Sequence, residues 1–133
     1  MLYKTIKIII FVILFATFLP FAGYSHEIET EVIIAVKDDK ILAFSAVKNR
    51  WVHKSLRSKE KVVSKKAHGN IGIVVTTKQI LGFSVITDHW TTKDLKIDEE
   101  LEEIMVEDNI ATVITDQRVI AFSAHNGQWK DAP

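Results

Sequence analysis

A period of 39 residues runs through most of this chain and limits its fold more than any other feature. Three tryptophans, Trp51, Trp90 and Trp129, follow one another at this interval. Phenylalanines and serines keep the same spacing, at Phe44, Phe83 and Phe122 and at Ser45, Ser84 and Ser123. Equal spacing of this kind indicates tandem supersecondary units that bury a core by stacking on one another.

Each copy has the pattern of a β-hairpin followed by a third strand. The copies align without gaps over residues 32–51, 71–90 and 110–129. Every copy has two short runs rich in Val and Ile on either side of a polar step, which is typical of paired strands. Asn49, Asp88 and Gly127 share the position at which the chain turns into the tryptophan strand. All three residue types tolerate a positive φ, so we expect a left-handed residue at this turn in every copy.

The second strand of each copy alternates a small residue with a large one. Ala43, Gly82 and Ala121 stand directly before the three phenylalanines. Because successive side chains point to opposite faces of a strand, one face is open to close approach by a neighbour. The other face then inserts an aromatic ring into the gap between units.

A weaker fourth segment follows each of the first two tryptophans, at residues 60–69 and 99–108. The first of these segments has Lys65 where the second has Ile104, and charge of this kind suits a strand at the edge of a sheet. The repeating unit is therefore four short strands, with units at about 31–69, 70–108 and 109–133. The sequence predicts an all-β domain over residues 26–133 and almost no helix within it.

The run from Asn109 to Ala124, together with Trp129, resembles blades of β-propeller-type repeats from uncharacterised exported bacterial proteins. The resemblance covers most of residues 28–133 and implies a fold only. The Trp-Asp pair of WD40 blades and the Gly-Gly pair of kelch blades are both absent from this chain. Propeller-like blades are thus the expected architecture, and a closed three-fold β-trefoil or β-prism is the alternative.

Closure of the repeat array is a separate question. Three blades are too few for a ring, since propellers usually have about 4–8. The third copy ends at Pro133 without the segment that would follow its tryptophan, whereas Glu27 to Thr30 aligns with the end of that segment. We expect the N-terminus to supply part of this last strand, either in a closed three-fold domain or in a half-ring that associates with another.

Residues 1–25 have the composition of an export signal. Lys4 and Lys7 precede an apolar run over residues 8–19, and small residues at 23 and 25 fit a cut before His26. This predicts an exported protein, periplasmic or extracellular. In the alternative, the segment stays uncleaved and residues 8–19 anchor the protein in the membrane, which would be its only membrane contact.

Charge and cysteine content exclude several classes of function. The chain has 133 residues, 17 Lys or Arg, 17 Asp or Glu and no cysteine. A neutral balance argues against nucleic-acid binding, which needs a basic surface, and the lack of cysteine excludes disulfides and thiolate sites.

The two stretches that lead into the fourth segments and include most of them, however, carry opposite charge. Residues 53–68 have six basic residues and one acid, and residues 92–107 have two basic residues and seven acids, which gives +5 against −5. Electrostatic pairing between neighbouring units or subunits is one interpretation, and two solvated edges are the other. The candidate assembly charges are Lys59, Lys61, Lys65, Glu99, Glu100, Glu102 and Glu103.

No catalytic, metal or cofactor site is predicted. None of the five histidines recurs at the 39-residue interval. The three aligned serines are expected to be structural hydroxyls at strand ends, because a catalytic serine needs a single base and an oxyanion hole. The three tryptophans are expected in the core between units, with a ligand-stacking role as the alternative.

The sequence therefore predicts a non-enzymatic, exported repeat protein whose partner is another protein or a second copy of itself. Dissimilar turns on a repeated frame suit a macromolecular partner. A carbohydrate-binding module that stacks sugars on Trp51, Trp90 and Trp129 is the alternative function.

Overall fold

The computed structural model describes residues 30–133, and within this range the chain is all β. Eleven antiparallel strands lie at Val32–Lys37 (β1), Lys40–Ser45 (β2), Arg50–Ser55 (β3), Val62–His68 (β4), Ile71–Thr76 (β5), Gln79–Ser84 (β6), His89–Asp94 (β7), Leu101–Val106 (β8), Ile110–Thr115 (β9), Val119–Ser123 (β10) and Gln128–Asp131 (β11). Residues 30–133 include no helix, and so none that could span a membrane. The prediction of an all-β repeat is confirmed for this part of the chain.

The strands form three sheets in chain order. The first sheet has the order β1-β2-β3, the second β4-β5-β6-β7, and the third β8-β9-β10-β11. Each fourth segment therefore pairs with the strand that follows it, and not with the unit whose tryptophan precedes it. The third sheet takes its fourth strand, β8, from the segment before it, so the assignment of that segment to the unit 70–108 is wrong, and so is the expectation that the N-terminus completes the last unit.

Both fourth segments are edge strands, as their charged sequences predict. β4 lies at the edge of the second sheet beside β5, and β8 lies at the edge of the third sheet beside β9. In each case the pairing shifts by one residue near the start of the strand, at residues 62–64 and 101–103. The two segments with the weakest strand patterns in the sequence are thus edge strands, and both have the same one-residue shift in pairing.

The second sheet lies between the other two and has both faces covered. Every residue of β5 and β6 is buried. One apolar cluster joins the first and second sheets around Leu81 and Phe83, and another joins the second and third around Ile73 and Phe122. The sheets are stacked but not closed into a ring, so the closed three-fold trefoil or prism is wrong for the described residues.

The predicted left-handed turn residue occurs in every copy. The φ angles are 52° at Asn49, 61° at Asp88 and 64° at Gly127. A second repeated left-handed residue, which the sequence analysis missed, lies in the linker between sheets at Lys59 and Asp98, with φ angles of 62° and 57°. These two residues are also 39 positions apart.

Two predictions fall on residues outside the described range. The export signal at residues 1–25, with its alternative as an anchor over residues 8–19, lies wholly outside it. The strand predicted to include Glu27 to Thr30 lies outside it except for its last residue. The first sheet accordingly has three strands within the described part of the chain.

Candidate interaction surfaces

Neighbouring sheets contact each other through a ring on one side and a small residue on the other. A Cβ atom added to Gly82 would lie 2.8 Å from the Phe122 ring, so the phenylalanine of the third sheet rests on the glycine of the second. Phe83 packs in the same cluster as Ala43 of the first sheet. The second and third sheets thus each direct their phenylalanine towards the sheet that precedes them in the chain.

Trp90 and Trp129 point in the same direction as these phenylalanines and join neighbouring sheets. Trp90 and Phe83 lie opposite each other with ring centroids 5.4 Å apart, and the same pair in the third sheet, Trp129 and Phe122, is 4.8 Å apart. The indole N–H of Trp90 donates to the carbonyl of Val52 at 3.0 Å. Trp129 makes the equivalent 3.1 Å bond to Thr91.

Polar contacts line the same boundaries. The Ser84 hydroxyl donates to the carbonyl of Ala124 across the boundary between the second and third sheets and accepts hydrogen bonds from backbone amides of its own turn. The Ser45 hydroxyl accepts from the amide of Lys48. Both serines are therefore used within the fold. Ion pairs also cross the boundaries, at Arg50–Asp88 and Lys93–Asp131.

Each of the two linkers between sheets has one buried glutamate that bonds to the hairpin that follows it. This role of the two glutamates was not predicted from the sequence. Glu60 accepts hydrogen bonds from the Thr76 hydroxyl at 2.6 Å and from the Gln79 amide at 2.7 Å. Glu99 accepts from the Thr115 hydroxyl at 2.7 Å and from Arg118 Nε at 2.7 Å. Both the glutamates and the threonines are 39 residues apart, so the alignment of the copies contained this signal.

The environments of these carboxylates favour ionisation. Burial works against the charged form of Glu99, but hydrogen bonds from Arg118, the Lys96 amide and Thr115 outweigh it and lower the pKa from 4.5 to about 2. The pKa of Glu60 is lowered for the same reasons, with Thr76 as its strongest hydrogen-bond donor. Carboxylates with shifted pKa values in clefts often indicate catalysis, but these two carboxylates accept hydrogen bonds from other residues of the chain.

The first sheet leaves its aromatic face uncovered by any described residue. We use the term aromatic face for the side of the first sheet that points away from the second, formed by Ile33, Ala35, Leu42, Phe44 and Trp51. Ile33 is 60% exposed and Trp51 is 53% exposed. Phe44 and Trp51 lie 5.2 Å apart between ring centroids, in the arrangement of the two buried pairs.

The third sheet leaves the opposite kind of face uncovered by the described residues. We use the term small-residue face for its side that points away from the second sheet, formed by Ile110, Thr112, Ile114, Val119 and Ala121. Ile110 is 57% exposed, and Ala121 is also exposed. A concavity of about 680 Å³ lies over this face between Ile110, Ala121, Ser123 and Lys130.

The oppositely charged segments lie next to each other within the chain. β4 packs beside β8, the Lys66 ammonium donates to the carbonyl of Ile104, and His68 lies 3.1 Å from Asp108. The predicted charges Lys59, Lys61, Lys65, Glu100, Glu102 and Glu103 are exposed, and no ion pair joins them among residues 30–133. Glu99 is different, since it is buried and paired with Arg118.

The described residues do not bring a catalytic or metal constellation together. Within residues 30–133, no three His, Asp or Glu side chains are grouped so that they could hold a metal ion. Only Trp51 offers an exposed ring, because Trp90 and Trp129 are partly buried and hydrogen-bonded between sheets. Three equal stacking sites for sugars therefore do not match this geometry.

Comparison with known proteins gives similarity of fold alone. No protein-family model matches the chain, and no curated protein sequence matches it. Among solved structures, it is similar to the N-terminal domain of Nup159, with 10% identity over 77% of this chain and 31% of that one and a TM-score of 0.42. It is also similar to the Neurospora crassa Pan2 WD40 domain, with 15% identity over 84% of this chain and 37% of that one and a TM-score of 0.41.

A third similar structure is a chain in a Saccharomyces cerevisiae complex of Dbp5, Nup159, Gle1, IP6 and ADP. The identity is 10% and the TM-score 0.43, over 77% of this chain and 30% of that one. The chain spans about a third of the length of the structures it matches. The fold of this chain agrees with the predicted resemblance at the level of repeated antiparallel sheets.

Proposed function

We propose that this protein is an exported, non-enzymatic scaffold that presents dissimilar turns to a protein partner. The observation that carries the proposal is that the frame of each sheet is the same, whereas the turns that it holds differ. The same Phe–Trp pair and left-handed turn occur in all three sheets, whereas the turn residues themselves differ. A rigid frame that holds different loops in fixed places is typical of binding proteins.

The turns at one end of the strands are the stronger candidate for the partner site. The turns after β2, β6 and β10 lie at this end, and in two of them an apolar side chain is exposed at the aligned position, Val47 and Ile86. The third turn has the exposed His125 there. A row of exposed and chemically different side chains suits a macromolecular surface better than three equal small-molecule sites.

The non-enzymatic part of the proposal is supported by the use of the shifted ionisable groups. Glu60, Glu99, Arg118 and Asp131 all have shifted pKa values, and each of them is engaged with other residues of the chain. The exported location is supported by the sequence of residues 1–25. Expression of the full-length chain in a bacterium, followed by cell fractionation and mass spectrometry of its N-terminus, tests this location directly.

Site-specific photo-crosslinking in the expressing cell tests the partner site. A photoreactive residue at position 47 or 86 is expected to give a discrete cross-linked protein species. The same residue at Ile97, which is 89% exposed in the linker at the other end of the sheets, is the matched control. Equal cross-linking from all three positions, or none from any, would contradict the proposal.

A further inference from the structure

We infer that a second copy of this chain docks head to tail, with its aromatic face against the small-residue face of the first. The contact is reciprocal, so two chains close a ring of six sheets. This inference goes beyond the proposed scaffold function, because it concerns these two faces and not the turns that carry Val47 and Ile86.

The first argument is that the same interface occurs twice inside the chain. The face of the second sheet that carries Phe83 and Trp90 packs on the first sheet, and the face of the third sheet that carries Phe122 and Trp129 packs on the second. Phe44 and Trp51 are the aligned residues of the first sheet, with the same mutual geometry. The aromatic face therefore has the same form as two surfaces that are already buried between sheets within this chain.

The second argument is that the receiving surface is also present. On the second sheet, Ile71, Ile73 and Gly82 receive Phe122 and belong to or adjoin its buried cluster. The aligned residues on the third sheet are Ile110, Thr112 and Ala121, which form the small-residue face. The concavity of about 680 Å³ lies over Ala121, at the place that corresponds to the Phe122 ring.

An alanine is suitable at the receiving position. Ala43 occupies it in the first sheet, is fully buried, and packs in the cluster that contains Phe83. Ala121 is therefore able to receive Phe44 in the same manner. By the same alignment, the Trp51 indole N–H would donate to the carbonyl of Lys130 in the second copy, as Trp90 does to Val52.

Exposed apolar area gives both faces a reason to associate. Ile33 and Trp51 on one face, and Ile110 and Val119 on the other, are each more than 40% exposed. Contiguous apolar surface of this kind favours a protein partner. Because the two faces differ, the contact is heterologous, and such contacts produce either closed rings or open filaments.

Closure with two chains follows from the number of sheets. Propeller rings usually have about 4–8 blades. Three sheets in each chain reach that range only when two chains combine, since three sheets are too few and nine are too many. Two copies would form two identical contacts, each burying one aromatic face and one small-residue face.

The test measures the mass of the protein in solution, as isolated from the cells that export it, by light scattering behind a sizing column. We expect twice the chain mass for the unaltered protein. Trp51→Arg and Ala121→Arg each place a charge on only one face, at an exposed position. Each is expected to raise the dimer dissociation constant by about 30-fold or more, with an unchanged circular dichroism spectrum. Ile97→Arg, away from both faces, is the matched control and remains dimeric.

Mixing the two variants identifies the head-to-tail arrangement. Trp51→Arg chains keep an intact small-residue face, and Ala121→Arg chains keep an intact aromatic face. A mixture therefore regains one of the two contacts, and we expect a heterodimer that neither variant forms alone. A dimer that survives Ala121→Arg but not Trp51→Arg would overturn the inference in favour of like faces in contact.

Three other outcomes also overturn the inference. A monomeric unaltered protein with a shielded Trp51 would mean that residues 1–29 of the same chain cover the aromatic face. A ladder of larger species would mean open filaments in place of a ring. A monomer that still cross-links a partner from positions 47 and 86 would leave the scaffold function intact and reject only the second copy.

Discussion

A single aligned position, occupied by Ala43, Gly82 and Ala121, determines how closely neighbouring sheets approach. In the second sheet the position has no side chain, and the Phe122 ring fills the space where a Cβ atom would lie. The alanine in the first sheet is buried, whereas the alanine in the third sheet is exposed. The same position thus has three environments, which makes its substitutions informative.

Gly82→Ala is expected to destabilise the fold by about 1–3 kcal/mol, because the added methyl group overlaps the Phe122 ring. Urea denaturation followed by circular dichroism measures the change. Ala46→Ser, at an exposed turn residue that belongs to neither face, should alter stability by no more than about 0.5 kcal/mol. Adding Phe122→Leu to Gly82→Ala should make the two effects non-additive, and strict additivity would argue against this contact.

Glu99 links the folding stability to pH. Its pKa in the folded protein is about 2, below the ordinary 4.5, because the hydrogen bonds and charge of its partners outweigh its burial. The stabilisation is therefore complete above pH 4.5 and is lost as the pH falls through 2. Glu99→Gln is expected to remove about 3 kcal/mol at neutral pH and to flatten the stability curve between pH 4.5 and 2.

Stability measured as a function of pH, by chemical denaturation at each pH value, tests this prediction. Glu100→Gln is the matched control, since the neighbouring carboxylate is exposed. Its curve should follow that of the unaltered protein. If Glu99→Gln kept the original pH dependence, the ion pair between Glu99 and Arg118 would not be a stabilising contact.

At the scale of the elements, turns and linkers are as regular as the strands. A left-handed residue begins the approach to each tryptophan strand, and another lies in each described linker, at Lys59 and Asp98. The residue after each of these two is a buried glutamate that bonds the next hairpin. The linker therefore fixes the start of one sheet against the turn of that same sheet.

Gly127→Ala is expected to cost about 1–2 kcal/mol, because the residue has a φ of 64° and its new Cβ atom would lie 2.9 Å from the Thr87 hydroxyl. Thermal unfolding followed by circular dichroism measures the effect. Asn49→Gly, at the equivalent turn, should leave the stability unchanged or slightly increased. A larger loss from Asn49→Gly than from Gly127→Ala would contradict the role of backbone conformation here.

At the scale of the whole molecule, burial is greatest in the middle of the stack. Both central strands of the second sheet are fully buried, whereas most residues of β3 are exposed. The first sheet packs on one neighbour and has three strands in the described part of the chain. Stability should therefore differ between the sheets, although the three copies are similar in sequence.

Hydrogen exchange is expected to be slowest at the backbone amides of β5 and β6 and fastest at those of β3. Amides in covered central strands open only with the whole fold, whereas amides at an exposed edge open locally. Exchange followed by mass spectrometry tests this order. Uniform protection across the three sheets would contradict this order, since β3 is an edge strand of the first sheet whether or not a second copy covers the aromatic face.

Local features were predictable from the sequence by itself. The repeat, the strands, the absence of helix from the described residues and the left-handed turns follow from residue types at fixed spacing, since each depends on a few neighbouring residues. The alternation of Gly82 with Phe83 likewise predicted a small face and a large face. Even the pairing of Glu99 with Thr115 was accessible, because both positions recur at the same interval as Glu60 and Thr76.

Only the tertiary structure decided how the units are joined. An edge segment such as β4 can pair with the unit before it or after it, and the choice depends on contacts that are distant in sequence. Trp51, Trp90 and Trp129 have the same local context, yet one is exposed and two lie between sheets, because a sheet at the end of a stack lacks one neighbour. Exposure of the aromatic face is therefore a property of position in the stack, which the period of 39 residues does not contain.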